Sequence, residues 1–114
     1  GVTETYNLVD LNLSQDERSA LVEFYSEHSP ANHQDKTVVI AKWLKDVKGI
    51  DEVNKDIVFT VLRTLGESTS FNISQALVNA KNLKSFFVST EAGKFKINHI
   101  GEDHVDRDLV GKDK

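Results

Sequence analysis

The sequence predicts a mostly α-helical domain that carries one small β-hairpin towards its C-terminal end. Apolar residues recur at helical spacing in several segments, each opened by a capping residue and most closed by a glycine or proline. Between Asn54 and Ile97, two such segments are separated by the short turn Glu67–Ser70 and followed by strand-like runs around Gly93. At 114 residues, with 39% apolar and 28% charged residues, the chain fits one compact domain whose core needs no covalent staple. Residues 1–13 read as an N-terminal arm, 14–109 as the body and 110–114 as a frayed tail.

In the arm, apolar residues alternate at Tyr6 and Leu8 and, after a shift, at Val9, Leu11 and Leu13, which fits an extended arm or a short strand lying on the body. Ser14 with Glu17 forms a capping box, and Leu21, Phe24, Tyr25 and His28 give the buried stripe of a helix from about Gln15 to His28. Pro30 ends it, because the residue before proline is pushed out of the helical region. Asn32 opens a second helix with stripe Ile40, Trp43, Leu44 and Val47, and Lys48-Gly49 closes it; Trp43 reads as a core anchor.

Val53 and Asn54 supply a hydrophobic staple and N-cap for a third helix, Val53 facing Val58, with Ile57, Val61, Leu62 and Leu65 completing its apolar side and Gly66 stopping it. So short a following turn forces a sharp crossing with the next helix, Asn72 to Asn82. There Phe71, Ile73, Ala76, Leu77, Ala80 and Leu83 are expected in the core, leaving Asn72, Ser74, Gln75, Val78, Asn79, Lys81 and Asn82 outside. The runs from Phe86 to Ser89 and from Lys94 to Ile97, around a turn Thr90–Gly93, form the hairpin, with Phe95 and Ile97 inward and Lys94 and Lys96 outward. Asn98 caps a last helix that Ile100, Val105 and Leu109 return to the core.

Net charge is -4, yet from Asn54 to Ile100 the basic residues Lys55, Arg63, Lys81, Lys84, Lys94 and Lys96 outnumber Asp56, Glu67 and Glu91. This is either a basic face on an acidic body or a chance cluster of solvated lysines. The outer amides of the fourth helix both donate and accept, which suits an adenine edge; alternatively Asn72 and Asn82 serve only as the helix caps. Likewise Lys94 and Lys96 suit either phosphates or the protection of an edge strand.

The order helix, helix, helix, turn, helix, hairpin, helix, over roughly Ser14 to Leu109, resembles the winged helix-turn-helix superfamily of prokaryotic regulators, in particular its small uncharacterised winged-helix domains. The resemblance is carried by Phe24-Tyr25, Leu65-Gly66, the Asn-Ile-x-x-Ala-Leu stretch from Asn72 to Leu77, and Gly101-Glu102 after the hairpin. It implies about five helices plus a two-stranded wing, with Asn72 to Asn82 in the recognition-helix place and Lys94 and Lys96 on the wing. A departure is that this helix carries no arginine.

With no cysteine, the chain has no disulfide, thiol nucleophile or thiolate ligand, in keeping with a cytoplasmic setting. No apolar run approaches the length of a membrane span. The absence of methionine leads us to expect a processed end or a fusion scar at Gly1, and leaves open whether the chain is a piece of a longer protein. His28, His33, His99 and His104 do not fall at metal-ligand spacing, and neither a phosphate loop nor a nucleophile motif is present, so no metal, cofactor or enzymatic activity is expected.

Two functions follow. In the first, a DNA-binding regulator, Gln75 and Asn79 face base edges beside Ser74 and Val78, and Lys81, Lys84, Lys94 and Lys96 contact phosphates. In the second, a protein-interaction module within a larger protein or assembly, exposed apolar residues such as Val78 take the contact. The acidic sequence pI of about 5.5 favours the second, and the local basic excess the first.

Overall fold

A computed structural model describes residues 5–109. Helix α1 (Gln15–His28) starts on the expected capping box: the Ser14 hydroxyl accepts from the Glu17 amide at 3.1 Å while the Ser14 amide donates to the Glu17 carboxylate at 2.9 Å. Glu17 also receives the Lys48 ammonium at 3.1 Å, so one carboxylate caps α1 and ties it to the end of the next helix.

Helix α2 (His33–Trp43), capped by Asn32, is the central element. Val38, Val39, Ile40, Ala41 and Trp43 are all buried, as expected of a helix covered on every side. It continues into a π-helical turn, Leu44–Lys48, that closes at Gly49 in the left-handed region (φ 68). This turn corrects one expectation: Val47 is 48% exposed instead of buried. Lengthening the hydrogen-bonded ring to i→i+5 delays each side chain, so the 3.6-residue stripe loses phase beyond Leu44.

Strand β1 (Glu52–Val53) precedes helix α3 (Lys55–Leu65), which runs from its Asn54 cap to Gly66 (φ 77). Helix α4 (Ile73–Asn82) follows, then strands β2 (Phe87–Glu91) and β3 (Lys94–Ile97). Among the described residues the strands form one three-stranded antiparallel sheet in the order β1-β3-β2, not the expected two-stranded wing. Glu52 lies opposite Lys96 and Val53 opposite Phe95, so β3 is the central strand. The side chains of Val53, Phe95 and Ile97 are buried, as the alternation in the hairpin required. β2 runs on to Glu91 with a bulge between Ser89 and Glu91, narrowing the turn to Ala92-Gly93 (φ 78).

Helix α5 (His99–Asp103) is capped by Asn98 and passes into a second π-helical turn, His104–Asp108. Val105 and Leu109 are buried, but Ile100 is 43% exposed, contrary to expectation. Gly101 takes the inward place instead: a side chain there meets the Phe86 carbonyl and Ile97, so only a bare backbone lets α5 approach the sheet this closely.

Leu83 is likewise 72% exposed where a core position was expected. The chain reverses through Ser85, a left-handed residue (φ 61), and the Phe86 amide donates back to the Ala80 carbonyl at 3.0 Å. Phe86 is thereby tied to the end of α4 through its backbone and is itself buried, while Leu83 lies outside the core.

From Thr5 onward the arm lies extended over α3 and the start of α4. The Asn7 amide donates to Asp56 at 3.0 Å, the Val9 amide to the Thr60 hydroxyl at 2.9 Å, and the Tyr6 ring stacks on Phe59. Residues 1–4 of the expected arm and the expected tail 110–114 lie outside the described residues.

Candidate functional site

Helix α4 is held at its N-terminus from two sides. Asn72 is its N-cap, accepting from the Gln75 amide at 2.9 Å, so this amide serves as a cap and does not project as a reading group. The Tyr6 hydroxyl donates to the Phe71 carbonyl at 3.1 Å and accepts from the Ile73 amide at 2.9 Å, satisfying one of the first-turn donors. Phe71 is half-buried and stacks on His33 with ring centroids 3.8 Å apart. Ile73, Ala76, Leu77 and Ala80 are buried, which fixes which side of α4 faces outward.

That outward side carries most of the expected site residues. Gln75 is exposed and Asn79 half-buried, and the two are joined: the Gln75 side-chain nitrogen donates to the Asn79 oxygen at 2.9 Å, the i,i+4 partnership of one helix face. Ser74 and Val78 are half-buried along the edge of α4 that faces a groove of about 360 Å³. Its other walls are Asn54, Lys55 and Asp56 at the start of α3 and Gly93 and Phe95 of the hairpin. Lys81 is half-buried and Lys84 exposed at the C-terminal end.

The hairpin lysines stand apart from this side. Lys94 and Lys96 leave β3 on the face opposite Phe95, which lines the groove. Lys94 pairs with Glu91 at 3.7 Å, and Lys96 sits between Glu52 and Val88 across the two neighbouring strands. Edge protection does not explain Lys96, because its strand is the middle one.

Charge is distributed unevenly. Lys36, Lys42, Lys45 and Lys48 each lie within ion-pair distance of a carboxylate, from Glu67, Asp46, Glu102 or Glu17. Burial alone pulls the Lys42 ammonium down, but Asp46 at 2.7 Å, with Asp106 and Glu102, outweighs that and leaves it above the ordinary lysine value. Burial and the Glu67 carboxylate push the Tyr25 phenol well above its ordinary value, and its hydroxyl donates to Glu67 at 3.2 Å. Among the described residues, by contrast, Lys81, Lys84 and Lys96 have no carboxylate within ion-pair distance.

His28, His33 and His104 serve packing and ties between elements. His28 is buried with its Nδ1 2.7 Å from the Phe24 carbonyl, and His104 places Nε2 2.8 Å from Asp35 and Nδ1 3.0 Å from Asp108. The His104 ring also stacks on Phe86, so it joins the C-terminal π-helical turn to α2 and to the residue that precedes β2. Among the described residues no three His, Asp or Glu side chains converge as a metal-ligand set, and no helix is long and apolar enough to cross a membrane.

The sequence does not show the groove, since in it Asn54 reads as a helix cap and Asp56 only as one of the acidic residues of the region. Nor does it show a second cleft of about 270 Å³ between α1 and α2, where Phe24, Trp43 and Val47 form an apolar floor and Glu23, Glu27 and Asp46 an acidic rim. The exposed spacing Glu23, Glu27 was the available signal for that rim. No protein-family model, curated protein or solved structure matches this chain.

Proposed function

We propose that this domain is a non-catalytic, regulatory DNA-binding module that meets duplex DNA with the outer face of α4. The observation that carries the reading is the segregation of charge: lysines around α2 are neutralised by carboxylates, whereas Lys81 and Lys84 beside the amide face of α4 are left without one among the described residues. Uncompensated ammonium groups are what a polyanionic backbone recruits, and phosphate contacts position a protein while amides and hydroxyls read the base edges. Gln75, Asn79 and Ser74 supply such groups here. Strand β1 supports the same reading, because its pairing with β3 fixes the hairpin against the start of α3 and so against the groove beside α4. Lys94 and Lys96 then act as outlying phosphate contacts on the hairpin.

Fluorescence anisotropy with a labelled mixed-sequence duplex tests this. Saturable binding at low salt that weakens steeply as salt is added supports it. Absence of binding at low salt refutes it.

A second reading, a winged helix-turn-helix used as a protein-interaction module, is favoured by the cleft over Phe24, Trp43 and Val47 with its rim of Glu23, Glu27 and Asp46. Its shape and charge suit an apolar side chain flanked by basic ones. Retention of a co-purifying protein that is abolished by Val47→Asp, with duplex binding absent, would establish this reading over the first.

A further inference from the structure

We propose that copies of this chain associate head to tail, with Leu83, Lys81 and Lys84 at the end of α4 in one copy seating in the cleft between α1 and α2 of the next; this rests on the reading of that cleft as a docking site and not on DNA binding. The cleft supplies the socket. Phe24 and Val47 form its apolar floor with the buried Trp43, and Glu23 and Glu27 stand exposed on its rim. The two glutamates are four residues apart on α1, so their Cβ atoms lie about 5–6 Å from each other and their charges repel. Asp46 on the same rim is paired with Lys42 at 2.7 Å, whereas Glu23 and Glu27 have no cation within ion-pair distance among the described residues. The occupant such a cleft selects is apolar and carries cations beside its apolar group.

The chain itself carries that occupant. Leu83 is 72% exposed, the most of any large apolar side chain among the described residues. Lys81 precedes it, and the helical backbone of Leu83 (φ -92, ψ -29) carries the turn on to Lys84. The two lysines are three residues apart, the other spacing that sets Cβ atoms about 5–6 Å from each other, so their separation matches that of the glutamates. Neither has a carboxylate within ion-pair distance among the described residues. The other exposed apolar side chains match less well: Val22 adjoins Glu23, and the Lys96 opposite Val88 has Glu52 on its other side. In the contact two uncompensated lysines meet two uncompensated glutamates, and Leu83 leaves water for the floor of Phe24 and Val47. Knob and socket are different surfaces, so the contact is heterologous. It is also local, one turn of chain in a cleft of about 270 Å³, which makes the association weak and transient. Because Lys81 and Lys84 are also the phosphate contacts of the DNA reading, a duplex and a second copy exclude each other on α4.

Sedimentation velocity of the purified full chain, without DNA, over the micromolar to millimolar range tests this. The sedimentation coefficient is expected to rise with protein concentration at low salt, and to rise less at high salt, which screens exposed charges. Glu23→Lys combined with Glu27→Lys removes the socket and keeps the knob, whereas Leu83→Asp removes the knob and keeps the socket. All three positions are exposed, so both variants keep the circular dichroism of the parent, and each alone stays monomeric. Mixed in equal amounts they form a one-to-one dimer and nothing larger, because only one intact knob and one intact socket are present between them. A parent chain that is monomeric throughout, a variant that still associates alone, or a mixture that fails to dimerise overturns the proposal. The cleft as a site for a different protein is decided separately, by the co-purification experiment with Val47→Asp.

Discussion

Replacing Gly101 by alanine sets two effects of opposite sign against each other. Gly101 lies in the first turn of α5, where alanine is the better helix former by at most about 1 kcal/mol. Opposing this, the added methyl carbon falls 2.6 Å from the Phe86 carbonyl oxygen, 2.8 Å from Ile97 Cγ1 and 3.1 Å from Val38 Cγ2. The first of these is backbone, and that same carbonyl accepts the Asn98 amide at 3.0 Å, so relief requires α5 to move off the sheet and strains its own N-cap. Overpacking of this kind costs about 1–3 kcal/mol. The net expectation for Gly101→Ala is a loss of about 1–2 kcal/mol. With a urea m-value on the order of 1–2 kcal/mol/M for a chain of this size, the midpoint falls by about 1 M with m unchanged. Equilibrium urea denaturation followed by circular dichroism measures it. An unchanged or higher midpoint would mean that helix propensity wins, and would refute the close packing of α5 on the sheet.

Two further perturbations probe the frame around α4. Thr60→Val keeps the packing shape but deletes the hydroxyl that receives the Val9 amide, so stability falls by about 1 kcal/mol and limited proteolysis cuts faster between Tyr6 and Leu13; unchanged cleavage would show that the arm is not held there. Glu17 is held below its ordinary value, chiefly by the hydrogen bond from the Ser14 backbone amide and then by Lys48, so its ionised form is favoured in the folded state. That stabilisation is fully present above the ordinary glutamate range and is lost as pH falls through the lowered value. The Tm gap between the protein and Glu17→Gln therefore closes in strongly acidic buffer, and a gap independent of pH would contradict the charge-based tie to Lys48.

What the sequence made legible is what neighbours in the chain decide. Ser14, Asn32, Asn54, Asn72 and Asn98 all make the N-cap bonds that their positions suggested, because a cap and its amide lie three residues apart. Val47, Leu83 and Ile100 were misplaced by extending a 3.6-residue stripe through helix ends where π-helical turns, a chain reversal or a close glycine contact decide the direction. Strand β1 was invisible: two residues carry no period, and its partner on β3 is remote in sequence. Thr60 interrupts an apolar face in the sequence, and only the arm above it explains why a buried hydroxyl belongs there.

The candidate site divides in the same way. The spacing of Gln75 and Asn79 already placed them on one helix face, and their mutual bond is the local consequence. Edge protection stood as a reading of Lys96 because β1, which makes its strand the middle one of the sheet, was not foreseen. The apolar groove beside Ser74 and Val78 is assembled from α3, α4 and the hairpin, and no single stretch of sequence contains it.

The salt dependence of duplex binding tests the central claim most directly. If Lys81 and Lys84 each neutralise a phosphate, Lys81→Ala with Lys84→Ala lowers the slope of log K against log salt by about 2, about 1 for each lysine removed. Lys45→Ala, which removes a lysine paired with Glu102 at 3.0 Å, leaves the slope unchanged. An unaltered slope in the double variant, or an equal fall in Lys45→Ala, would contradict the assignment of DNA binding to the outer face of α4.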